Sequence, residues 1–154
     1  MIGEALSALE ASALATALRG STWTYPLVNA GHVLGIALLF GSVVPLDLRL
    51  LGLWRGVPPE IAARMLVPVA AAGFALAATT GTLLFVSAAG DYAASWLFRL
   101  KLAVLAAALG NVLLFLLARP AADTEPTPGQ RGSALASLTL WAGVIVAGRL
   151  VGYF

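Results

Sequence analysis

The sequence predicts an all-α integral membrane protein, a four-helix bundle that is preceded by an amphipathic amino-terminal helix at the membrane interface. Hydrophobic residues make up 60% of the 154 residues and charged residues only 10%, whereas soluble domains carry about a quarter charged residues. The mean hydropathy is +0.94, and a chain this apolar must bury its surface in lipid, in a partner or in itself. Because a spanning helix needs about 20 apolar residues, the chain has room for four spans and short loops. This composition excludes an ordinary soluble domain and a disordered chain.

The amino-terminal segment, residues 1–20, has a helical composition but is too polar to cross a membrane. It contains Glu4, Glu10 and Arg19 among alanines and leucines. Such a segment favours a helix that lies in the interface with its apolar face toward lipid. We therefore expect residues 1–20 to form an interfacial helix and residues 21–154 to form the four-span membrane domain.

The first two spans follow from long apolar runs. Residues 25–46 extend over about 33 Å as a helix, and His32 is the ionisable residue within them. Pro58 and Pro59 suit the first turn of the next helix, because proline lacks the N–H that is unpaired there. That helix becomes the second span at residues 66–87, which carry no charge.

The last two spans are separated by a polar, proline-rich loop. Asp91 is the predicted N-cap of a third helix over residues 92–117, which contains Arg99 and Lys101. The loop that follows is rich in Pro, Gly, Asp, Glu and Thr, as solvated loops are. The fourth span is expected over residues 134–154, interrupted by one arginine.

Basic and aromatic residues predict how the spans are oriented. Side A denotes the face where the first span begins, and side B denotes the opposite face. The arginines in the loops of side B are Arg49, Arg55, Arg64, Arg119 and Arg131. Outside the spans, side A carries Arg19, so the positive-inside rule places side B in the cytoplasm and both termini outside. The aromatic residues that form an interfacial belt at side A are Trp23, Tyr25, Tyr92, Trp96 and Tyr153.

Three basic residues from different spans lie at a similar depth below this aromatic belt. At helical rise, His32, Lys101 and Arg149 lie about 10, 8 and 6 Å below it. Polar groups at such depth are costly in lipid, so they face the bundle interior or extend to the interface. Asn29 shares the helical stripe of His32, and Arg99 lies at the outer end of the third span. These five residues are predicted to line a polar ligand-binding pocket in the outer third of the bundle.

His32 admits three interpretations. It is a neutral imidazole that donates to a backbone carbonyl or to Asn29, an axial ligand of haem b, or a proton relay, since histidine titrates near neutral pH. In the haem hypothesis, neighbouring glycines make room for the macrocycle, and Lys101 and Arg149 meet its propionates. The chain contains one histidine, so such a haem would be five-coordinate, use a second kind of ligand, or be shared across a dimer.

The other charged residues also have a structural and a functional interpretation. Lys101, Arg149 and Arg99 either extend to the interface and pair with carboxylates there, or bind an anion such as a carboxylate, a phosphate or a propionate. Asp47 and Arg49 lie at the side-B end of the first span. They form either a helix-end anchor with a local ion pair, or a gate or docking site.

Two glycine pairs with GxxxG spacing favour close contact between helices. Gly31 and Gly35 lie in the first span, and Gly148 and Gly152 lie near the end of the fourth. Such faces join helices of one chain or of two chains. A homodimer through the Gly31/Gly35 face or the Gly148/Gly152 face is therefore one expectation.

Three stretches resemble a family of small four-span bacterial inner-membrane proteins without an assigned function. These stretches are NAGHVLGIALLFGSVVPLDLRLLG, FRLKLAVLAAALGN and AGRLVGY. The residues that carry the resemblance are His32, residues 47–52, Lys101, Asn111 and Arg149. The family pattern has an acidic residue at the position of Asn29, and this departure weakens the proton-relay hypothesis. More distantly, the layout is similar to membrane domains of the copper-resistance D type. The resemblance implies a fold and a location but no activity.

Taken together, these features predict a non-enzymatic, multi-pass protein of a bacterial cytoplasmic membrane that binds a ligand or cofactor, haem b being the most specific candidate. The alternatives are a small transporter or channel-like carrier for an anion or a proton-coupled solute, or an accessory subunit of a membrane complex. The lipid bilayer is the expected partner. Nucleic acid is not, because the net charge is only +2. The sequence contains no cysteine, which excludes thiolate metal sites, and no nucleotide loop or nucleophile elbow.

Overall fold

A computed structural model of the chain describes residues 2–117 and 125–153 and confirms the predicted all-α class. In the described ranges the chain forms helices joined by short turns. Their bounds are α1 Ile2–Glu10, α2 Ala13–Gly20, α3 Thr24–Leu50, α4 Pro59–Ser87, α5 Ala89–Ala94, α6 Trp96–Leu117 and α7 Pro128–Leu150.

Four of these helices, α3, α4, α6 and α7, are long and apolar enough to cross a membrane. They contain 27, 29, 22 and 23 residues. At helical rise these lengths correspond to about 33–44 Å, which exceeds the ~30 Å hydrocarbon core. Large apolar side chains such as Leu34, Leu114 and Leu135 are exposed on their outer faces, where lipid would cover them. The chain is therefore a polytopic membrane protein.

Helices α3 and α4 extend beyond the spans predicted from hydropathy. Helix α3 continues four residues past the expected end at residue 46. Asp47 and Arg49 consequently lie in its last turns and not in a connector. Helix α4 begins at Pro59, seven residues before the predicted span, with Pro59 in the N1 position. Hydropathy marks the part of a helix that lies in hydrocarbon, whereas hydrogen bonding continues into the interface.

The third span differs from the prediction at its start. Asp91 is not an N-cap, because it lies in the first turn of the short helix α5. The chain then passes through Ser95, which has an extended backbone. The Ser95 hydroxyl accepts from the Phe98 N–H at 3.4 Å as α6 begins.

The amino-terminal segment is also divided, into α1 and α2. Ser12 has an extended backbone, and its hydroxyl accepts from the Ala15 N–H at 3.2 Å. A serine whose side chain pairs with a backbone N–H ends one helix and starts the next. The same chemistry starts α7, where Thr127 and Gln130 form a capping box. Arg119, which we assign to the loop before α7, lies outside the described residues.

Helix α3 is central, because it packs on both α4 and α7, and α7 packs in turn on α6. The contact of α3 with α4 is closest at Gly35 and Gly73. A Cβ atom on Gly35 would lie 2.5 Å from the Ala77 nitrogen, and one on Gly73 would lie 2.5 Å from the Leu39 nitrogen. Only glycine permits this approach, because real Cβ contacts are longer.

Helices α4 and α6 do not pack directly against each other in the part of the chain that the structure describes. They flank the α3/α7 pair instead, so the spatial order of the long helices is α4, α3, α7, α6. Two groups of buried residues fill the contacts between them. The first contains Leu46, Leu50, Ala62, Ala63 and Ala134, and the second contains Leu39, Val43, Ala108 and Trp141.

The two amino-terminal helices dock on the side-A end of the long helices. Ala15 and Leu18 are buried there. The Arg19 guanidinium donates to the Ser87 carbonyl at 2.8 Å and to the Glu10 carbonyl at 2.6 Å. The Glu10 carboxylate accepts from the Gly90 N–H at 2.8 Å. These bonds attach α1 and α2 to the turn that follows α4.

Candidate functional site

His32, the centre of the predicted outer pocket, packs against α4. Its Nδ1 lies 2.8 Å from the Ala77 carbonyl oxygen and 3.2 Å from the Thr80 hydroxyl. A carbonyl only accepts, so Nδ1 carries the proton in this arrangement. A Cβ on Gly81 would lie 2.9 Å from the imidazole Cε1. Glycine at position 81 therefore makes room for the ring itself.

Lys101 is half-buried and faces the same region from α6. Its Cε and Nζ lie 3.4 and 3.5 Å from the position of a Cβ on Gly148. Its Nζ is 6.0 Å from the centroid of the Phe98 ring. Lys101 is also close enough to His32 for the two side chains to interact electrostatically. The structure therefore places these two side chains within electrostatic range of each other but gives no contact between them.

The other three predicted pocket residues, Arg149, Arg99 and Asn29, are exposed. Arg149 donates to the Tyr153 hydroxyl at 2.6 Å and lies 4.8 Å from the centroid of its ring. Arg99 donates to the Ala94 carbonyl at 3.4 Å. The predicted convergence of His32, Lys101 and Arg149 therefore lacks Arg149, because a long side chain near a helix end reaches the interface.

The glycine pairs of the sequence have different surroundings. Gly31 and Gly35 face α4, where a Cβ on Gly31 would lie 3.2 Å from the Thr80 methyl group. Gly148 adjoins Lys101, and a Cβ on Gly152 would meet only the Arg149 carbonyl of its own helix end. The Gly31/Gly35 face is thus covered within one chain.

A cavity of about 200 Å³ lies in the side-B half of the molecule, in the cleft between α3, α4, α6 and α7. Most of the lining is apolar. The aromatic residues that line it are Phe74, Phe115 and Trp141, and Phe74 meets Trp141 edge to face at 6.4 Å between ring centroids. We call this space the interhelical cleft.

Two helical stripes form the floor of the interhelical cleft. Leu39, Val43 and Asp47 line it from α3, and Ser133, Ser137 and Trp141 line it from α7. Each set has spacing i, i+4, i+8, which keeps its members on one helix face. The polar residues at the side-B end of the cleft are called the polar tip and are Asp47, Asn111, Ser133 and Ser137.

Within the polar tip, Asp47 is the residue whose side chain has an atom without a hydrogen-bond partner. Its side chain is 5% exposed, and its Oδ2 is buried without a hydrogen-bond partner among the described residues. The Ser137 hydroxyl, 7% exposed, lies beside the carboxyl group. Trp141 Nε1, further along the cleft, is likewise buried without a partner. The two residues that carry this unpaired acceptor and this unpaired donor thus line one apolar cavity.

Asn111 and Ser133, in contrast, satisfy each other. The Asn111 amide donates to the Ser133 carbonyl at 3.0 Å, and the Ser133 hydroxyl donates to the Asn111 amide oxygen at 2.9 Å. These two hydrogen bonds join α6 to α7. It leaves Asp47, Ser137 and Trp141 as the groups that a ligand would engage.

Arg49 does not pair with Asp47, although a local ion pair is one expectation from the sequence. The two residues are two positions apart, so they point to different sides of α3. Arg49 is 3% exposed, and its Nε donates to the Val57 carbonyl in the turn between α3 and α4. Gly52 permits that turn with φ of 110°. Arg49 Nη1 is buried without a partner among the described residues.

Asp47 is predicted from the sequence only as part of a helix-end motif, and Ser137 and Trp141 are not among the predicted site residues. The i, i+4, i+8 spacing of Ser133, Ser137 and Trp141 is visible in the sequence and is the signal that points to a shared face. It does not identify which helix faces that stripe. Only the packing of α3 on α7 shows that Asp47 lies opposite this stripe.

Comparison with protein-family models, with curated proteins and with solved structures found no match. The family resemblance of the sequence motifs stays a prediction. Within the described ranges, no three His, Cys, Asp or Glu side chains are grouped so that they could hold a metal ion. Function must therefore be inferred from the interhelical cleft and its polar groups.

Proposed function

We propose that the protein binds, without chemical conversion, a small and largely apolar molecule in the interhelical cleft. The polar end of that molecule would lie at the polar tip. The observation that carries the proposal is that Asp47 and Trp141 both line one apolar cavity and that each has a buried polar atom without a partner, Asp47 Oδ2 and Trp141 Nε1.

Burial without a hydrogen-bond partner makes these two atoms energetically unfavourable. More than about 90% of buried polar groups in proteins have a hydrogen-bond partner. Each buried group left without one costs about 1–3 kcal/mol. A lipid acyl chain would fill the apolar part of the cleft but would pair with neither atom. A ligand with a donor for Asp47 and an acceptor for Trp141 would fill the space and satisfy both.

The size of the cleft limits the ligand. A dry apolar cavity of about 150 Å³ holds benzene. The cavity of about 200 Å³ observed here accommodates a somewhat larger body, such as a substituted aromatic ring. Ligand sites commonly combine such apolar walls with a few polar groups that orient the ligand.

Binding of para-fluorobenzyl alcohol, followed by fluorine NMR on the full chain in detergent, tests the proposal. We expect saturable binding to the unmodified protein and loss of binding in Ser137→Leu, which fills the cleft and removes a hydroxyl. Thr139→Leu is the matched control, because Thr139 is exposed and its hydroxyl donates to its own helix at Leu135. Equal, unsaturable partitioning in all three proteins would refute the proposal.

Haem b at His32 is the second candidate. It is favoured by the bond of Nδ1 to the Ala77 carbonyl, because haem and metal ligands commonly donate one ring nitrogen to a carbonyl and present the other to the metal. A visible spectrum after expression with haem supplied tests this candidate. A Soret band that disappears in His32→Ala would support it, and the absence of a Soret band even after reconstitution would exclude it.

A further inference from the structure

We infer that the ligand of the interhelical cleft is a lipophilic cation, an organic amine whose ammonium group pairs with Asp47 while its apolar body lies among Phe74, Phe115 and Trp141. This inference rests on the proposed function and specifies the chemical class of its ligand.

The first step is that Asp47 has no cationic partner in the described protein. Arg49 points to the α3–α4 turn, where it donates to Val57. On α4, the partly exposed Glu60 and the exposed Arg64 pair with each other at 2.8 Å. A carboxylate buried in an apolar site requires a compensating charge or hydrogen bonds.

The remaining helices around the cleft supply no such charge. The described part of α6 beyond Lys101 contains no charged residue, and Lys101 itself lies at the opposite end, beside Gly148. On α7, Arg131 is exposed near the helix start and Arg149 is exposed at its end. When Asp47 is ionised, the described residues therefore supply no cation to compensate its charge.

The second step is that the walls suit an organic cation better than a metal ion. Three aromatic side chains line the cleft, and aromatic faces attract ammonium groups as well as apolar groups. Inorganic cations such as Ca²⁺ need about six to eight oxygen ligands. The polar tip offers one carboxyl group and the Ser137 hydroxyl beside it, because Asn111 and Ser133 are occupied with each other.

The third step is the hydrogen-bond geometry that an amine would provide. An ammonium group donates up to three hydrogen bonds and accepts none. Asp47 Oδ2 and the Ser137 oxygen are acceptors on the same end of the cleft. A neutral alcohol of equal size donates one hydrogen bond, and its bond to Asp47 lacks the attraction between opposite charges.

Two matched ligands test the inference by fluorine NMR on the full chain in detergent. Para-fluorobenzylamine is protonated at neutral pH, and para-fluorobenzyl alcohol is its neutral counterpart. Because a bond between charged partners is about twice as strong as a neutral one, we expect the amine to bind at least about tenfold more tightly. Para-fluorobenzoate, which is anionic, should not bind.

The variant Asp47→Asn assigns the effect to one residue. We expect it to remove the preference for the amine while alcohol binding changes by less than about twofold. Glu60→Gln, which neutralises a partly exposed carboxylate at the same side, should change neither affinity. If Asp47→Asn does not fold, the three ligands still test the inference on the unmodified protein.

The outcomes separate the two proposals. Equal affinities for amine and alcohol, or tighter binding of the benzoate, would overturn the cation inference and leave the proposed function standing. Absence of saturable binding for every ligand would overturn both. An amine preference that persists in Asp47→Asn would also overturn the assignment of the ammonium site.

Discussion

Gly35 determines how closely α3 approaches α4. A Cβ at this position would lie 2.5 Å from the Ala77 nitrogen and 2.9 Å from the Gly73 oxygen, and both are backbone atoms that a rotamer change cannot move. We expect Gly35→Ala to lower the free energy of unfolding by about 1–3 kcal/mol, the usual cost of overpacking. Thermal unfolding in detergent measures this effect.

Gly41→Ala provides the matched control for that substitution. Gly41 lies on the same helix, is exposed and has nothing within 4 Å of its Cβ position. Alanine is the better helix former, by up to about 1 kcal/mol, so this variant should be as stable as the unmodified protein or more stable. Equal melting temperatures for the two variants would contradict the close approach of α3 and α4.

At the residue scale, the sequence predicts which interactions a side chain can make better than it predicts where that side chain points. The hydrogen bond of His32 to a carbonyl is among its predicted interpretations, and Ala77 provides that carbonyl. The prediction that Arg149 lines the outer pocket rests on its depth below the aromatic belt, and depth does not fix the direction of the side chain. Tyr153, one turn further on, instead gives the guanidinium both a hydroxyl and an aromatic ring at the surface.

At the element scale, α1 and α2 are attached to the rest of the molecule by hydrogen bonds of Arg19 and Glu10 and by the buried side chains of Ala15 and Leu18. The guanidinium bridges the Ser87 and Glu10 carbonyls, and α1 and α2 contain few buried side chains besides Ala15 and Leu18. We expect Arg19→Gln to increase hydrogen exchange within residues 2–20, since local opening is easiest where buried contacts are few.

Thr16→Ala is the control for this experiment, because Thr16 is exposed on α2. Hydrogen exchange followed by mass spectrometry compares the two variants. Exchange in α3, α4, α6 and α7 should be unchanged in both. If Arg19→Gln exchanges no faster than Thr16→Ala over residues 2–20, the bridge does not hold these helices in place.

The sequence predicts that the four long helices exist, but it predicts only some of the residues at which helices begin and end. Four apolar runs of sufficient length predict four long helices, which the structure confirms. Pro59 correctly signals the start of α4. The breaks at Ser12 and Ser95 are missed, because a serine within an alanine-rich stretch is compatible both with a continuous helix and with a cap.

At the scale of the whole molecule, the order α4, α3, α7, α6 creates the interhelical cleft. Four spans of similar apolar composition do not specify in sequence which of them are neighbours. For that reason the floor of the cleft, formed by α3 and α7, and the burial of Asp47 within it are not predictable from one chain. The outer pocket is predicted from depth and from the helical stripe that Asn29 shares with His32, and neither gives the rotation of a helix relative to its neighbours.

The membrane orientation remains a prediction that the arginine distribution supports, and the absence of cysteine makes it easy to test. Single cysteines at Thr16→Cys on side A and Gly56→Cys on side B occupy exposed positions. With side B in the cytoplasm, a membrane-impermeant maleimide applied to intact spheroplasts should label the first and not the second. The reverse pattern would show that both termini are cytoplasmic.

Blocking the interhelical cleft without altering its polar tip tests the proposed binding site most directly. Ala71 and the adjacent Ala72 are both exposed, but of the two Ala71 alone lines the cleft. Titration of para-fluorobenzyl alcohol into Ala71→Phe and Ala72→Phe, followed by fluorine NMR, compares a blocked cleft with an open one. We expect saturable binding to be lost in Ala71→Phe and retained in Ala72→Phe. Retention of the same affinity in both variants would contradict a binding site between the four long helices.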